Sequence, residues 1–337
     1  MSDTVASDRR PAAGLAGLGA FLDQLSPGEA PVLIDTRMSQ VLLAGPWAIK
    51  LRRPSSALAS AVARRAALAR ELRCNRRMSP SVYLGLAPVP KKAPVDWALV
   101  MRRLPSEQML DQAIKQGSAS CADIDRVAMR LSRFYAASRA IRIEPARVLA
   151  RIDREQAHNR HLLMELAGRL SPARNAMRGR LKDLLNRSDT IWLRHRAEVA
   201  LRVERGFIVD AHGDLRPEHI CLTEPIELID RLEFDRTLRC LDPWEELGLL
   251  GVLCAMAGAA WMGSRVAVAL EHTLEPPRPS RRLMSFYCAH HALVRARLAA
   301  SHLREPRAKR AHHWRMVTRR LLGYAEAAVA GWDALSG

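Results

Sequence analysis

Residues 207–241 read FIVDAHGDLRPEHICLTEPIELIDRLEFDRTLRCL. A short apolar run, Phe207 to Val209, leads into the polar loop His212-Gly213-Asp214. A second run, Ile220 to Leu222, is followed by the turn pair Glu224-Pro225. A third run, Ile226 to Ile229, ends at Asp230. Short β-prone runs bounded by turn residues predict strands. Two carboxylates, Asp214 and Asp230, therefore stand at strand ends, on loops that a hairpin would bring together. Reactive groups on loops carried by a rigid scaffold are the usual layout of an active site.

The spacing resembles the catalytic segment of the protein-kinase-like phosphotransferases, in which H-R-D-x-x-x-x-N precedes a metal-binding Asp after the next hairpin. Here the loop over 212–219 reads H-G-D-L-R-P-E-H. Its H-G-D form is similar to that of the aminoglycoside phosphotransferase and choline kinase-like branch. The resemblance implies a catalytic loop with His212 and Asp214, Asp214 accepting or orienting the proton of a substrate hydroxyl. It implies a metal segment at 230–235 in which Asp230 holds Mg²⁺ against the phosphates of ATP. Such chemistry asks for positioning and charge neutralisation and little else.

His219 departs from the pattern, since Asn is expected there. Mg²⁺ prefers oxygen donors, whereas an imidazole nitrogen suits softer divalent ions. One metal suffices, or Mn²⁺ serves, or turnover has been lost. The bland reading makes His212, Asp214 and Asp230 ordinary loop and cap residues. A bare H-G-D tripeptide would leave that reading ahead; the spacing, flanking strands and second Asp reverse it.

Residues 31–53, PVLIDTRMSQVLLAGPWAIKLRR, predict short strands at Val32 to Ile34, Gln40 to Leu43 and Trp47 to Leu51, with Gly45-Pro46 as a turn. Lys50, in Trp-Ala-Ile-Lys, resembles the V-A-I-K lysine of kinases, which pairs with nucleotide phosphates and a helix carboxylate. It is equally readable as a lysine guarding a sheet edge. Ser55-Ser56 is a candidate cap for a helix over Ala57 to Met78. Glu71 is the only acid between Pro54 and Tyr83; it is a solvated residue or the partner of Lys50. Two more strands, Tyr83 to Val89 and Trp97 to Met101, flank a turn at Lys91 to Pro94. Met101, Arg102 and Arg103 then form a connector whose backbone would meet an adenine ring. No glycine-rich phosphate loop occurs; Ser39, Gly45 and nearby backbone would have to stand in.

With NRRMSPSVYLG, MRRLPSEQML and RCLDPWEELG added, the resemblance runs over roughly residues 30 to 305 and points to an uncharacterised bacterial branch. Some members of that branch also carry a P-loop domain, and no G-x-x-x-x-G-K-[ST] stretch occurs here. The implied fold is α+β and bilobal: a small antiparallel sheet with one helix as N-lobe (29–103), then a mostly helical C-lobe (104–335) carrying the catalytic hairpins. Residues 1–28 read as a disordered or loosely helical lead, with Leu15 to Leu25 as a possible short helix.

Beyond Ser106 the periodicity is helical: Ser106 to Gln116, Cys121 to Ile141, Glu144 to Leu170, and Pro172 to Arg205, the last with Ser171-Pro172 as its start signal and Gly206 as its stop. Glu233 and Asp235 lie close enough in sequence to Asp230 to join its site. Asp242 reads as an N-cap that also braces the catalytic loop. The apolar run Leu247 to Met262 is shorter than the about 20 residues of a membrane span and predicts a buried helix. Arg281, Arg282, Arg295, Arg297 and Arg304 either line an anionic acceptor pocket or form a solvated face.

Among 337 residues, 53 are Lys or Arg and 35 Asp or Glu, a formal charge of +18. That excess favours polyanionic partners, but it is spread along the chain and no nucleic-acid-binding motif accompanies it. The six cysteines form no C-x-x-C pair, as in reduced intracellular proteins. The expectation is a cytoplasmic phosphotransferase using ATP with Mg²⁺ or Mn²⁺ on an unidentified hydroxyl-bearing small molecule, with no membrane partner. A degenerate nucleotide-binding module and a basic nucleic-acid-binding protein are the alternatives.

Overall fold

The structure is a computed structural model that describes residues 9–11, 31–36, 38–89, 96–304 and 310–336. Most of the N-terminal lead, with the helix expected at Leu15 to Leu25, and the turn at Lys91 to Pro94 lie outside the described residues. The contacts divide the chain into two compact units: Met1–Gln112 with Glu218–Thr237, and Ala113–Pro217 with Leu238–Gly337. The segment carrying Asp230, counted with the helical lobe in the sequence, thus belongs to the sheet-bearing unit.

The first unit is built on an antiparallel sheet. Strands β2 (Val32–Asp35), β3 (Ser39–Ala44), β4 (Trp47–Arg52), β5 (Tyr83–Val89) and β6 (Asp96–Arg102) run in the order β2-β3-β4-β6-β5. Arg9–Pro11, inside the lead read as disordered, adds β1 at the β2 edge. Gly45, at φ 51°, makes the turn between β3 and β4. Strand residues alternate between faces. Leu42, Ala44, Ile49 and Leu51 pack on one side with Val89 and Ala98. Lys50 therefore points to the other side. There helix α1 (Ala61–Arg76) lays Leu68 against Val82, Tyr83 and Leu99. The start of α1 lies later than the sequence suggests. Ser60, not Ser55, is the N-cap and accepts from Ala63 N at 3.1 Å, while Ser56–Leu58 forms a separate 3₁₀ turn. Arg64 holds that turn apart from the helix through the carbonyls of Leu58 and Ala59 (3.1 and 2.8 Å). Two short strands complete this unit: β8 (Ile220–Cys221) pairs with β9 (Glu227–Leu228).

The second unit is helical: α2 (Leu110–Gln116, which straddles the boundary), α3 (Cys121–Ala136), α4 (Pro145–Glu165), α5 (Ala167–Leu170), α6 (Arg174–Glu204), α7 (Pro243–Met256), α8 (Ala260–Glu271), α9 (Arg281–Ser301) and α10 (Ala311–Ala330). A capping box of Ser120 and Asp123 starts α3, and Gly206, at φ 78°, follows the end of α6. Ser171 does not cap α6; the N-cap there is Ala173, without a side-chain bond. The expected single helix over Leu247 to Met262 is two helices, because Gly258 (φ 91°) reverses the chain between α7 and α8. Both α7 and α8 are glycine-notched. A Cβ on Gly263 would lie 2.4 Å from the Ala334 carbonyl, and one on Gly251 would lie 2.9 Å from Leu335. The turn at Asp333, Ala334 and Leu335 is buried in that notch and tied by Arg278 to Asp333 (2.7 Å). Strand β7 (Val209–Asp210) pairs with β10 (Cys240–Leu241), not with β8.

No helix among the described residues is long and apolar enough to cross a membrane. All six cysteines are unbridged.

Candidate active site

In the first unit three distant segments converge on Lys50. Its Nζ donates to Glu71 Oε1 at 2.6 Å and to Asp230 Oδ1 at 3.4 Å. Of the two readings of Lys50, the geometry matches the helix-paired one. Glu71 is 1% exposed, so it is not a solvated helix acid. Burial works against the Lys50 ammonium, but Glu71 and then Asp230 outweigh it and hold it above the usual lysine range. Arg52 lies two residues on, hence on the same face of β4. It donates to Glu71 Oε2 at 2.7 Å and also pairs with Glu233. Burial, then the neighbouring Glu71, push the Glu233 carboxyl upward despite Arg52. Asp235, by contrast, turns back on Thr237 at the surface.

Asp230 itself sits at φ 58°, a left-handed conformation that is uncommon outside glycine and tends to concentrate at functional sites. The surroundings fix it. Its N–H donates to the Tyr83 hydroxyl at 2.9 Å, and the next N–H, of Arg231, donates to buried Asn75 Oδ1 at 2.7 Å. His219, 3% exposed, brings Nε2 within 3.6 Å of Asp230 Oδ2. No group of three or more His, Cys, Asp or Glu that could hold a metal occurs among the described residues. The candidate donors are the Asp230–His219 pair. Such a pair fits a cation that takes its remaining ligands from phosphates and water, as Mg²⁺ commonly does, and its nitrogen tilts the preference toward a softer ion.

The connector is partly committed to its own lobe. Arg102 N–H donates to Val82 O (2.9 Å) and Arg103 N–H to Pro46 O (2.7 Å). Met101 packs beside the Leu68–Tyr83 cluster. Ser39, one of the expected stand-ins for a phosphate loop, is tied to Thr36, whose hydroxyl donates to Ser39 O (2.6 Å) and accepts from Ser39 N (3.0 Å).

In the second unit the H-G-D loop follows β7. Gly213, at φ 86°, takes a conformation that favours glycine. His212 is fully buried, and its Nδ1 accepts from Asp214 N at 3.3 Å. The loop is braced by Glu246, one turn into α7. Its Oε2 accepts from His212 N at 3.1 Å and its Oε1 from Gly213 N at 2.5 Å. Tyr135 donates its hydroxyl to the same carboxylate at 2.6 Å. Burial and the Glu246 charge keep that phenol protonated, well above its ordinary range. Asp242 caps α7 as expected, accepting from Trp244 N (3.0 Å), and its carboxylate pairs with buried Arg202. Asp214 meets two guanidinium groups, with Arg216 Nε 3.2 Å from Oδ2 and Arg295 Nη1 3.6 Å from Oδ1.

Arg52, Asn75, Tyr83, Arg216 and Glu246 escaped the sequence reading as site residues. Arg52 was findable from the two-residue period of its strand. Glu246 carried the weaker signal of one of two acids, with Glu245, at the head of a largely apolar helix.

No family model matches the chain. It is 27% identical, over 78% of its length, to uncharacterised proteins of Mycobacterium tuberculosis and Mycobacterium bovis. The chain spans only 53% of the length of those relatives. Among solved structures it resembles a choline/ethanolamine kinase family protein from Mesorhizobium loti, with TM-score 0.54 and 13% identity over 94% of this chain and 98% of that one. It also resembles choline kinase from Cryptosporidium parvum, with TM-score 0.51 and 9% identity over 90% and 88%. The fold shared with those solved structures is the α+β, protein-kinase-like one.

Proposed function

We propose that this chain, with its protein-kinase-like fold, moves the γ-phosphoryl group of ATP to a hydroxyl of a small molecule. The observation that carries the reading is the Lys50–Glu71–Asp230 network, assembled from a strand, a helix and a post-hairpin loop. A lysine held charged by a buried acid, beside a second acid in a strained conformation, is what a phosphate-binding site requires. Lys50 would meet nucleotide phosphates, and Asp230 with His219 would hold Mg²⁺ or Mn²⁺. The bound ion would neutralise phosphate charge. An adenine edge would be read by connector carbonyls at Met101 to Arg103, since two of the amides are engaged. Asp214, its loop fixed by Glu246, would take the acceptor's hydroxyl proton as that oxygen bonds to the γ-phosphorus. The bond from the γ-phosphorus to the β–γ bridging oxygen breaks, and ADP leaves with its electron pair.

A nucleotide-binding module without turnover is the second reading. His219 at the Asn position and the short, glycine-free β2–β3 turn favour it.

The test is a thermal-shift series with ATP, GTP and ADP, each with Mg²⁺, Mn²⁺ or EDTA, since a ligand of the folded state raises Tm. The expected result is a metal-dependent ATP shift that Asp230→Ala removes and Asp214→Asn keeps, with Asp214→Asn abolishing ADP formation. No shift with any nucleotide sinks both readings. A shift without turnover on any acceptor leaves the module.

A further inference from the structure

We infer that the acceptor is a neutral polyhydroxylated molecule of the sugar class, and that hydroxyls other than the reacting one bond to buried polar atoms along the seam between α4 and α9, His291 Nε2 foremost. This rests on the phosphotransferase reading and adds the substrate class to it.

The two helices run side by side in the same direction. His290 and His291 of α9 lie within electrostatic reach of Arg151 of α4. Arg297 donates to Asn159 (2.8 Å) and pairs with Glu155, and Arg304, just past α9, pairs with Glu165 (2.8 Å). Arg151 in turn donates to both oxygens of Glu245 at 2.8 Å. The charges along the seam are thus matched by the chain itself. Its other polar atoms are not. Arg151 Nε, Gln156 Oε1, Asn159 Nδ2 and His290 Nδ1 have no hydrogen-bond partner among the described residues. All four of those side chains are more than nine-tenths buried. Nε2 of half-buried His291 is a fifth such atom. Buried polar atoms nearly always find a partner, so five unmet ones on two adjacent helices mark a place where partners come from outside the chain.

The seam meets the proposed base at His291. Arg295, one turn further along the same face of α9, comes within 3.6 Å of Asp214, and Asp214 is among the charges that act on His291. Burial, then Arg151, hold His291 down at about 4, so its ring is neutral near pH 7. A backbone hydrogen bond at Glu245 favours the protonated ring, which makes the ring the donor there. Nε2 is then a lone-pair acceptor. Unmet donors (Arg151 Nε, Asn159 Nδ2) therefore accompany unmet acceptors (Gln156 Oε1, His291 Nε2), and a hydroxyl is both at once. A ligand with several hydroxyls answers them without bringing charge into a seam whose charges are already matched. A cation would meet Arg216 and Arg295 beside Asp214, and an anion would carry an uncompensated charge into buried ground. A simple alcohol would leave the seam unmet. The reacting hydroxyl passes its proton to Asp214 as its oxygen bonds to the γ-phosphorus, and ADP leaves with the electron pair of the broken bond.

The experiment is calorimetric titration of the full chain, as wild type, His291→Leu and His291→Gln, with glucose, myo-inositol, 1-propanol, choline and glycerate. ATP with metal is titrated separately, and Tm is recorded for each variant. The expected result is that glucose or myo-inositol binds the wild type and that His291→Leu weakens it roughly tenfold or more. His291→Gln should recover part of the loss, because its amide carbonyl restores an acceptor. ATP affinity and Tm should not fall. Should His291→Leu fail to fold, the wild type decides with the monodeoxy forms of the polyol that binds: at least one should bind roughly tenfold more weakly, and equal affinity for all of them overturns the assignment. If ATP binds but neither polyol does, the assignment is overturned and the kinase reading stands; the unmet atoms then belong to a hydrated interior. The same holds if the polyol binds His291→Leu as well as wild type, or if choline, glycerate or 1-propanol binds more tightly than either polyol. If ATP does not bind, both fall.

Discussion

Glu246 fixes the H-G-D loop with one carboxylate that serves two backbone amides and a phenol. Glu246→Gln keeps the shape but turns an NH₂ toward one of those donors. Leaving a buried donor unmet costs about 1–3 kcal/mol. The expected outcome is faster amide hydrogen exchange at His212 and Gly213, and an ADP-forming rate at least tenfold lower with ATP affinity kept. Unchanged exchange at both amides would show that the brace is dispensable. Legibility in the sequence is uneven at this scale. Lys50, Glu71, Asp214 and Asp230 stood out because the phosphoryl chemistry proposed for them restricts residue type and spacing. Glu246 did not, because an acid in the first turn of a helix is already accounted for by the helix dipole. Nor did Tyr83 and Asn75: their task is to hold the left-handed backbone at Asp230, and nothing local announces a phenol or an amide with that role.

Elements were read well in kind and less well at their ends. The strands around Lys50 fell where alternation and turn residues put them. The start of α1 did not, because serines at 55, 56 and 60 all qualify as caps and only the Arg64 contacts decide among them. The break between α7 and α8 was hidden because Gly258 lies within a run whose hydropathy does not change. Glycines in this pair have distinct tasks, and substitution separates them. Gly263→Ala should be the costlier, since its Cβ would strike a carbonyl at 2.4 Å, whereas that of Gly251 meets a leucine methyl able to move. Overpacking of this kind costs about 1–3 kcal/mol. It would be measured as a lower denaturant midpoint at constant slope. Equal midpoints for Gly263→Ala and wild type would mean that the tail turn gives way freely.

For the molecule as a whole, the charge of +18 invited a polyanion reading, yet several of its arginines close on acids of the same unit, such as Arg265 on Asp125 and Arg180 on Glu326. Acidification offers a global test. Burial, then neighbouring Arg151, depress His291 to about 4, and burial with His291 and Arg151 depresses its neighbour His290 well below 6.5. Arg295, Arg297 and Asp214 face the same pair. A depressed folded-state value means that the unfolded chain takes up protons first. Stability from this pair is therefore complete above pH 6.5 and is lost as the pH falls from there toward 4, with an uptake of up to about two protons on unfolding. His291→Asn should flatten the pH dependence of the denaturation free energy by about one proton across that window. An unaltered slope would place the acid sensitivity elsewhere.

The buried turn at Asp333 to Leu335 has a reach beyond its size. It rests on Gly251, and Gly251 shares α7 with Glu246, which holds the H-G-D amides. A protease that clipped the chain after Trp332 would remove no residue of the proposed chemistry. It would nonetheless empty a notch on the helix that carries the brace, because the turn at Asp333 to Leu335 and the H-G-D amides lean on that one helix.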